Sequence, residues 1–214
     1  MELKGIQLFS DERAGQGGHL VIRRLRMKLL LSDGSSTREG AWDFVERPMG
    51  LDAVVLCLWR KAPSGLEVLL RSGLRVPLQF GRAEPRPLLF TELVAGILEP
   101  GDNLPERAAA EALEEAGLQV AAATVQLLGP PLFPTPGMCA ELFHFAACEV
   151  ASDAVAIDPQ GDGSPFEQGA RLEWVSLDEA FARIQRGELQ DLKTELALRR
   201  LRDELPEAKQ VRRL

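Results

Sequence analysis

The stretch that most constrains this chain is residues 92–118, ELVAGILEPGDNLPERAAAEALEEAGL. It reads as a strand from Leu93 to Ala95, a loop bracketed by Gly96 and Gly101, and a short helix stopped by Gly117. Asn103 offers an N-cap oxygen and Glu106 follows three residues later, the spacing of a capping box. Pro105 is tolerated because a first-turn N–H has no intrahelical partner. On this helix Glu111, Glu114 and Glu115 stand at i, i+3 and i+4, so three carboxylates crowd one side. Like charges at that spacing repel unless a cation sits between them, and hard oxygen ligands suit Mg²⁺ or Mn²⁺. The plain competing reading is a solvated acidic face, the usual fate of Glu- and Ala-rich turns.

Bulk composition narrows the classes. With 214 residues and 45% hydrophobic content the chain can bury one sizeable core. A net charge of −7 argues against a nucleic-acid surface working by bulk electrostatics. The apolar runs near residues 51–59 and 142–148 are too short to span a bilayer, and no signal segment opens the chain. Cys57, Cys139 and Cys148 lack C-x-x-C spacing and read as buried thiols, which places the protein in a reducing cytoplasm.

The remaining elements frame the acidic helix. Residues 1–50 read as an accessory strand module: Leu20 to Leu31, a turn at Ser32-Asp33-Gly34-Ser35, and a strand from Gly40 to Arg47. Met1 to Gly18 is mixed and polar. Ala53 to Trp59 and Leu66 to Arg71 form a hairpin with a longer loop at residues 62–65. Residues 81–89 are a Pro- and Arg-rich connection, and proline density keeps residues 129–137 irregular. Val125 to Leu128, Glu141 to Cys148 and Arg171 to Val175 read as strands. A helix from Leu177 to Arg186 starts at a Ser176/Glu179 capping box, and another runs from Leu189 to Leu205. His144 reads as a packed strand histidine, and His19 has no partner that would make a metal site.

Residues 96–118 resemble the Nudix box, G-x5-E-x7-R-E-U-x-E-E-x-G-U, where U is aliphatic. Gly96, Glu111, Glu114, Glu115, Gly117 and Leu118 match in register, and Ala112 fills the first U position. Asp102 stands where the family has Glu, and Ala110 where it has Arg. ELVAG is similar to the strand leading into the box in ADP-ribose and nucleoside-diphosphate-sugar pyrophosphatases. The resemblance implies an α/β fold, a Nudix α/β/α sandwich with a mixed sheet over residues 51–214, in agreement with the element order. It also implies that the N-terminal β-strand module, residues 1–50, exchanges across a homodimer, with Trp42 or Phe44 near an adenine or simply packing.

The implied activity is Mg²⁺-dependent hydrolysis (Mn²⁺ also fits) of the diphosphate bond in a nucleoside diphosphate linked to a sugar, foremost ADP-ribose to AMP and ribose 5-phosphate. Glu111, Glu114, Glu115 and the Ala95 carbonyl are the implied metal ligands, with Glu115 also counted as catalytic. Arg71 or Arg75 would pair with a phosphate, unless they are only exposed strand-end arginines. Glu92, Gly137 and Glu141 are the further implied substrate residues. In the loop spanning residues 151–169, Glu167 is the implied general base, with Glu173 in reserve. Loss of the box arginine at Ala110 leaves a second class open, a non-catalytic Nudix domain that binds a nucleotide or a protein. Arg107, three residues earlier, is placed to replace that arginine in part.

Overall fold

The computed structural model describes residues 2–15, 19–48, 50–63, 65–84, 86–159, 161 and 169–205. The chain divides into two units, Met1–Leu51 with Phe133–Leu142, and Asp52–Leu132 with Phe143–Leu214.

The first unit is an antiparallel sheet of β1 (Leu3–Ala14), β2 (Val21–Leu31) and β3 (Gly40–Glu46), in that order. The turn after β2 forms as its residues dictate. Gly34 takes a left-handed φ of 82°, and Ser35 donates its N–H and hydroxyl to Asp33 Oδ1. The strand β1 adds a third to the two strands located in residues 1–50 from the sequence. Its pairing is signalled by cross-strand charge, with Arg23 of β2 gripping Asp11 at 2.7 Å through Nε. Opposite pairs Ile6↔Leu29, Leu8↔Met27 and Leu25↔Trp42 lie on one face, where Ile6, Leu8, Leu29 and Trp42 are exposed. Residues 133–142 join this unit through Val45, whose N–H donates to Met138 O at 2.9 Å.

The second unit is built on the hairpin of β4 (Ala53–Ala62) and β5 (Gly65–Leu74). Its register closes at Ala62↔Gly65, tighter than the sequence suggested. The two strands pair only as far as Trp59↔Val68 and then separate. Into that opening run β6 (Leu89–Glu92), paired with the end of β5, and β7 (Val94–Ile97), paired with the start of β4. A five-residue helix α1 (Val76–Phe80), unforeseen because Pro77 lies in so short a segment, precedes them. Alongside β4 lies β9 (Phe143–Glu149), the one parallel pair of this mixed sheet among the described residues, followed by β8 (Gln126–Leu127); β10 (Arg171–Ser176) flanks β5. Glu141 precedes β9 rather than opening it.

Alternate residues of β4 face opposite layers, as a strand with both faces buried requires. Val54, Leu56 and Leu58 pack with Ala108, Ala112 and Ala116 of α2 (Leu104–Ala116). Val55, Cys57 and Trp59 pack with residues of α3 (Leu177–Gln185) and α4 (Leu192–Glu204). The result is the expected α/β/α sandwich. The anticipated caps are made: Asn103 accepts from Glu106 N–H at 3.2 Å and Ser176 from Glu179 N–H at 3.1 Å. Gly117 ends α2 at φ 65°, and a Cβ there would lie 1.9 Å from Ile157 O. No helix among the described residues is long and apolar enough to cross a membrane.

One contact joins segments far apart in sequence. Asp191 caps α4, and Thr194 Oγ1 donates to Asp191 Oδ2 at 2.6 Å while accepting from Leu93 N–H at 2.8 Å. Leu93 links β6 to β7 and is 1% exposed, so its N–H has no access to water. Thr194→Val keeps the shape but leaves that donor unpaired. It is expected to cost about 1–3 kcal/mol of unfolding free energy in urea titration, with the midpoint falling at unchanged slope.

Candidate active site

The site begins with the small residues of α2. Ala108, Ala112 and Ala116 recur every fourth residue and are fully buried, so a ridge of methyl groups lets the helix approach the sheet closely. Glu111 and Glu115 flank this ridge and are therefore carried against β7. Gly96 receives Glu111: a Cβ on Gly96 would stand 1.5 Å from Glu111 Oε1. Ala95 donates its N–H to Glu115 Oε2 at 3.2 Å, and Ile97 O accepts from Arg107 Nε at 3.2 Å. These alternate residues turn their backbone polar groups away from β4. In an antiparallel strand a residue's N–H and C=O point the same way, so the Ala95 carbonyl faces this side as well.

Each carboxylate has a cation. Arg107 Nη2 bonds Glu111 and lies 3.3 Å from Glu114 Oε2. Arg71, on β5 and 7% exposed, places Nη2 3.4 Å from Glu115 Oε1. The Arg71 side chain lies across Gly73, where a Cβ would stand 2.9 Å from its Nη1. Glu92 at the end of β6 is 1% exposed and divides its oxygens between two further cations. Arg75 Nε donates to Oε1 at 2.6 Å, and Lys193 Nζ donates to Oε2. Lys193 also reaches Asp191 Oδ2 at 2.9 Å. It stands in the first turn of α4, 101 positions from Glu92, and no local spacing links the two.

Burial dominates the electrostatics. It pushes the Glu111 carboxyl up to about 7, with Arg107 opposing and the Glu115 and Glu114 charges adding to the rise. Glu115 is raised as well, by burial first, against the pull of Arg71 and the Ala95 N–H. Arg107 is raised: burial works to lower it, but the Glu111, Glu114 and Asp102 charges together outweigh that.

Arg71, Arg75, Glu92, Ala95, Glu111, Glu114 and Glu115 thus meet where β5, β6 and β7 face α2 and the start of α4. Glu111 and Glu114 turn to Arg107 and Glu115 to Arg71, so among the described residues no three His, Cys, Asp or Glu form a metal cage. The donor chemistry nevertheless fits a hard divalent cation. Two buried carboxylates beside a strand carbonyl form a site where added positive charge offsets both desolvation and repulsion. Asp102, in the place of the family glutamate, accepts from Glu99 N–H at 2.8 Å and closes the loop before α2.

Gly137 and Glu141 belong to the first unit, where Glu141 Oε1 accepts from Arg47 Nη2 at 2.6 Å. Trp42 is 55% exposed, and Phe44 lies beneath the Arg23 guanidinium. Glu167 lies outside the described residues. Glu173, the reserve base, gives both oxygens to Arg183 at 2.7 and 2.8 Å and is held below the usual carboxylate range by those bonds. That pairing suits a structural carboxylate and not a proton acceptor.

The family model described as the NUDIX domain matches residues 60–196. Among solved structures, the crystal structure of an ADP compounds hydrolase is similar at a TM-score of 0.69, covering 95% of each chain with 13% sequence identity. At that identity the likeness speaks for the fold. No curated protein matches in sequence.

Two outcomes follow from the geometry. The Glu111 value of about 7 lies above its unfolded 4.5, so ionisation costs stability; the cost is absent below pH 4.5 and complete above pH 7. Without metal, Glu111→Gln is therefore expected to melt higher than wild type at pH 8, the gap closing by pH 5. Gly96→Ala must expel the Glu111 carboxylate from its seat. Loss of Mn²⁺ binding in a variant that retains its far-UV circular dichroism checks this.

Proposed function

The chain belongs to the Nudix hydrolase family, and from that premise we propose that it hydrolyses the diphosphate bond of a nucleoside diphosphate linked to a sugar. ADP-ribose, cleaved with one water to AMP and ribose 5-phosphate, is the leading substrate. The observation that carries this reading is the meeting of Glu111, Glu114 and Glu115 with Arg71 and Arg75 around β7. Acids for a cation and arginines for phosphate occur together.

The residues divide the work. Glu111, Glu115 and the Ala95 carbonyl would hold Mg²⁺ or Mn²⁺, with Glu114 at a second ion or its waters. A bound divalent cation offsets phosphate charge and lowers the pKa of its water. Arg75 has a side chain 45% exposed, while its partner Glu92 is almost fully buried. A fixed carboxylate thus holds an arginine whose remaining donors face solvent, which suits bidentate phosphate binding. Arg71 neutralises Glu115 until substrate phosphate competes for it. Glu92 and Lys193 position Arg75 rather than touch substrate. Glu167 is the carboxylate proposed to take the proton from the attacking water.

The exposed apolar face of the N-terminal sheet supports a homodimer in which a second copy covers it. Ile6, Leu8, Leu29 and Trp42 form a contiguous patch of the kind that monomers seldom leave in water.

Two experiments check the proposal. Wild type assayed with Mg²⁺ or Mn²⁺ against a panel of nucleoside-diphosphate sugars is expected to release a nucleoside monophosphate, and Glu115→Gln to lose at least about a hundredfold in kcat. Cleavage of none of them would favour the other class, a non-catalytic Nudix domain with an altered box at Ala110 and Asp102 that binds a nucleotide or a protein partner. For the dimer, Ile6→Asp with Leu29→Asp is expected to sediment as a monomer where wild type sediments as a dimer.

A further inference from the structure

We infer that Arg107 is the positioning residue of the acidic cluster, orienting Glu111 and Glu114 against β7 from one helical turn before the alanine at position 110. The inference rests on the metal-dependent reading above and concerns how the ligands are held.

Arg107 makes three attachments with one planar group. Nε is anchored on Ile97 O at 3.2 Å, while Nη2 bonds Glu111 and lies 3.3 Å from Glu114. The anchor is what gives the contact its meaning. Ile97 belongs to the same short strand as Ala95 and Gly96, so Arg107 ties Glu111 to the strand that carries the carbonyl ligand. A guanidinium divides its donors between a carbonyl and two carboxylates in a fixed fork; an ammonium offers one point of charge.

A plain surface ion pair does not account for this arrangement. Glu111 shows only 5% of its side chain to solvent and Arg107 29%. Arg107 lies near the N-terminus of α2, where the helix dipole disfavours a cation, and arginine preceding glutamate at i,i+4 is the poorer order. Local helix energetics therefore argue against arginine here, and the carboxylates argue for it. Positions 107 and 110 share a helix face, and Ala110 presents only a methyl group. The cation that holds these carboxylates stands one turn earlier, on the face that position 110 shares.

The test uses the full chain and reads Mn²⁺ binding to substrate-free protein by calorimetry, apart from turnover. Arg107→Ala is expected to weaken Mn²⁺ by about ten- to a hundredfold. Arg107→Ala combined with Ala110→Arg is expected to recover most of that loss, and Arg107→Lys to fall between. Mn²⁺ affinity equal to wild type in Arg107→Ala would overturn the inference, as would a double variant as weak as the single one. If Arg107→Ala fails to fold, Arg107→Lys decides: undiminished affinity overturns the role. A wild type that binds no Mn²⁺ sinks the metal reading and this inference together. Tight Mn²⁺ binding without cleavage of any nucleoside diphosphate sinks the substrate reading alone.

Discussion

The constraint beneath this structure is the close approach of α2 to β7. Small residues permit it on both sides, with alanine along the helix and glycine at position 96 on the strand. A larger residue on either would lift the helix, and the carboxylates would then meet water instead of backbone. Close approach has an electrostatic cost, since it strips Glu111 and Glu115 of solvent. Arg107, Arg71 and the Ala95 N–H offset that cost in part. The structure therefore stores charge repulsion at one seam and surrounds it with compensating cations, an arrangement expected of a place made to receive a further positive charge.

The sheet opens to make room for this seam. Because β4 and β5 separate after a short hairpin, β6 and β7 can enter between them and end in the middle of the layer. Their link, Leu93, would be a buried defect without a partner for its N–H. Thr194 supplies the partner, and its neighbour Lys193 reaches Glu92. The first turn of the last helix thus completes the strand that carries the candidate site. This coupling explains why the acidic residue Glu92 is tolerated at 1% exposure: its two cations arrive from α4 and from the segment before α1.

Much of this was legible in the residues because it is local. The capping boxes at Asn103 and Ser176, the left-handed Gly117 and the i, i+3, i+4 carboxylates depend on neighbours within one or two helical turns. Arg107 was visible as a candidate for the same reason. The misses are non-local. The strand β1 alternates apolar residues only at Ile6 and Leu8, and along its second half ion pairs to β2 take over. Residues 133–142 gave no sign that they belong with the N-terminal sheet, which is decided by a backbone bond to Val45. The partnership of Arg71 with Glu115 and of Thr194 with Leu93 joins residues that no spacing rule connects.

The bond between Thr194 and Leu93 spans 101 positions of chain. During synthesis the strand bearing Ala95 and Gly96 is made long before the helix that fixes it, and contacts so distant in sequence close late. Until the segment near residue 194 has cleared the ribosome, the Leu93 N–H between β6 and β7 lacks its acceptor and Glu92 lacks one of its two cations. The acidic helix can settle on β4 earlier, but the strand ends beside it are fixed only when α4 arrives.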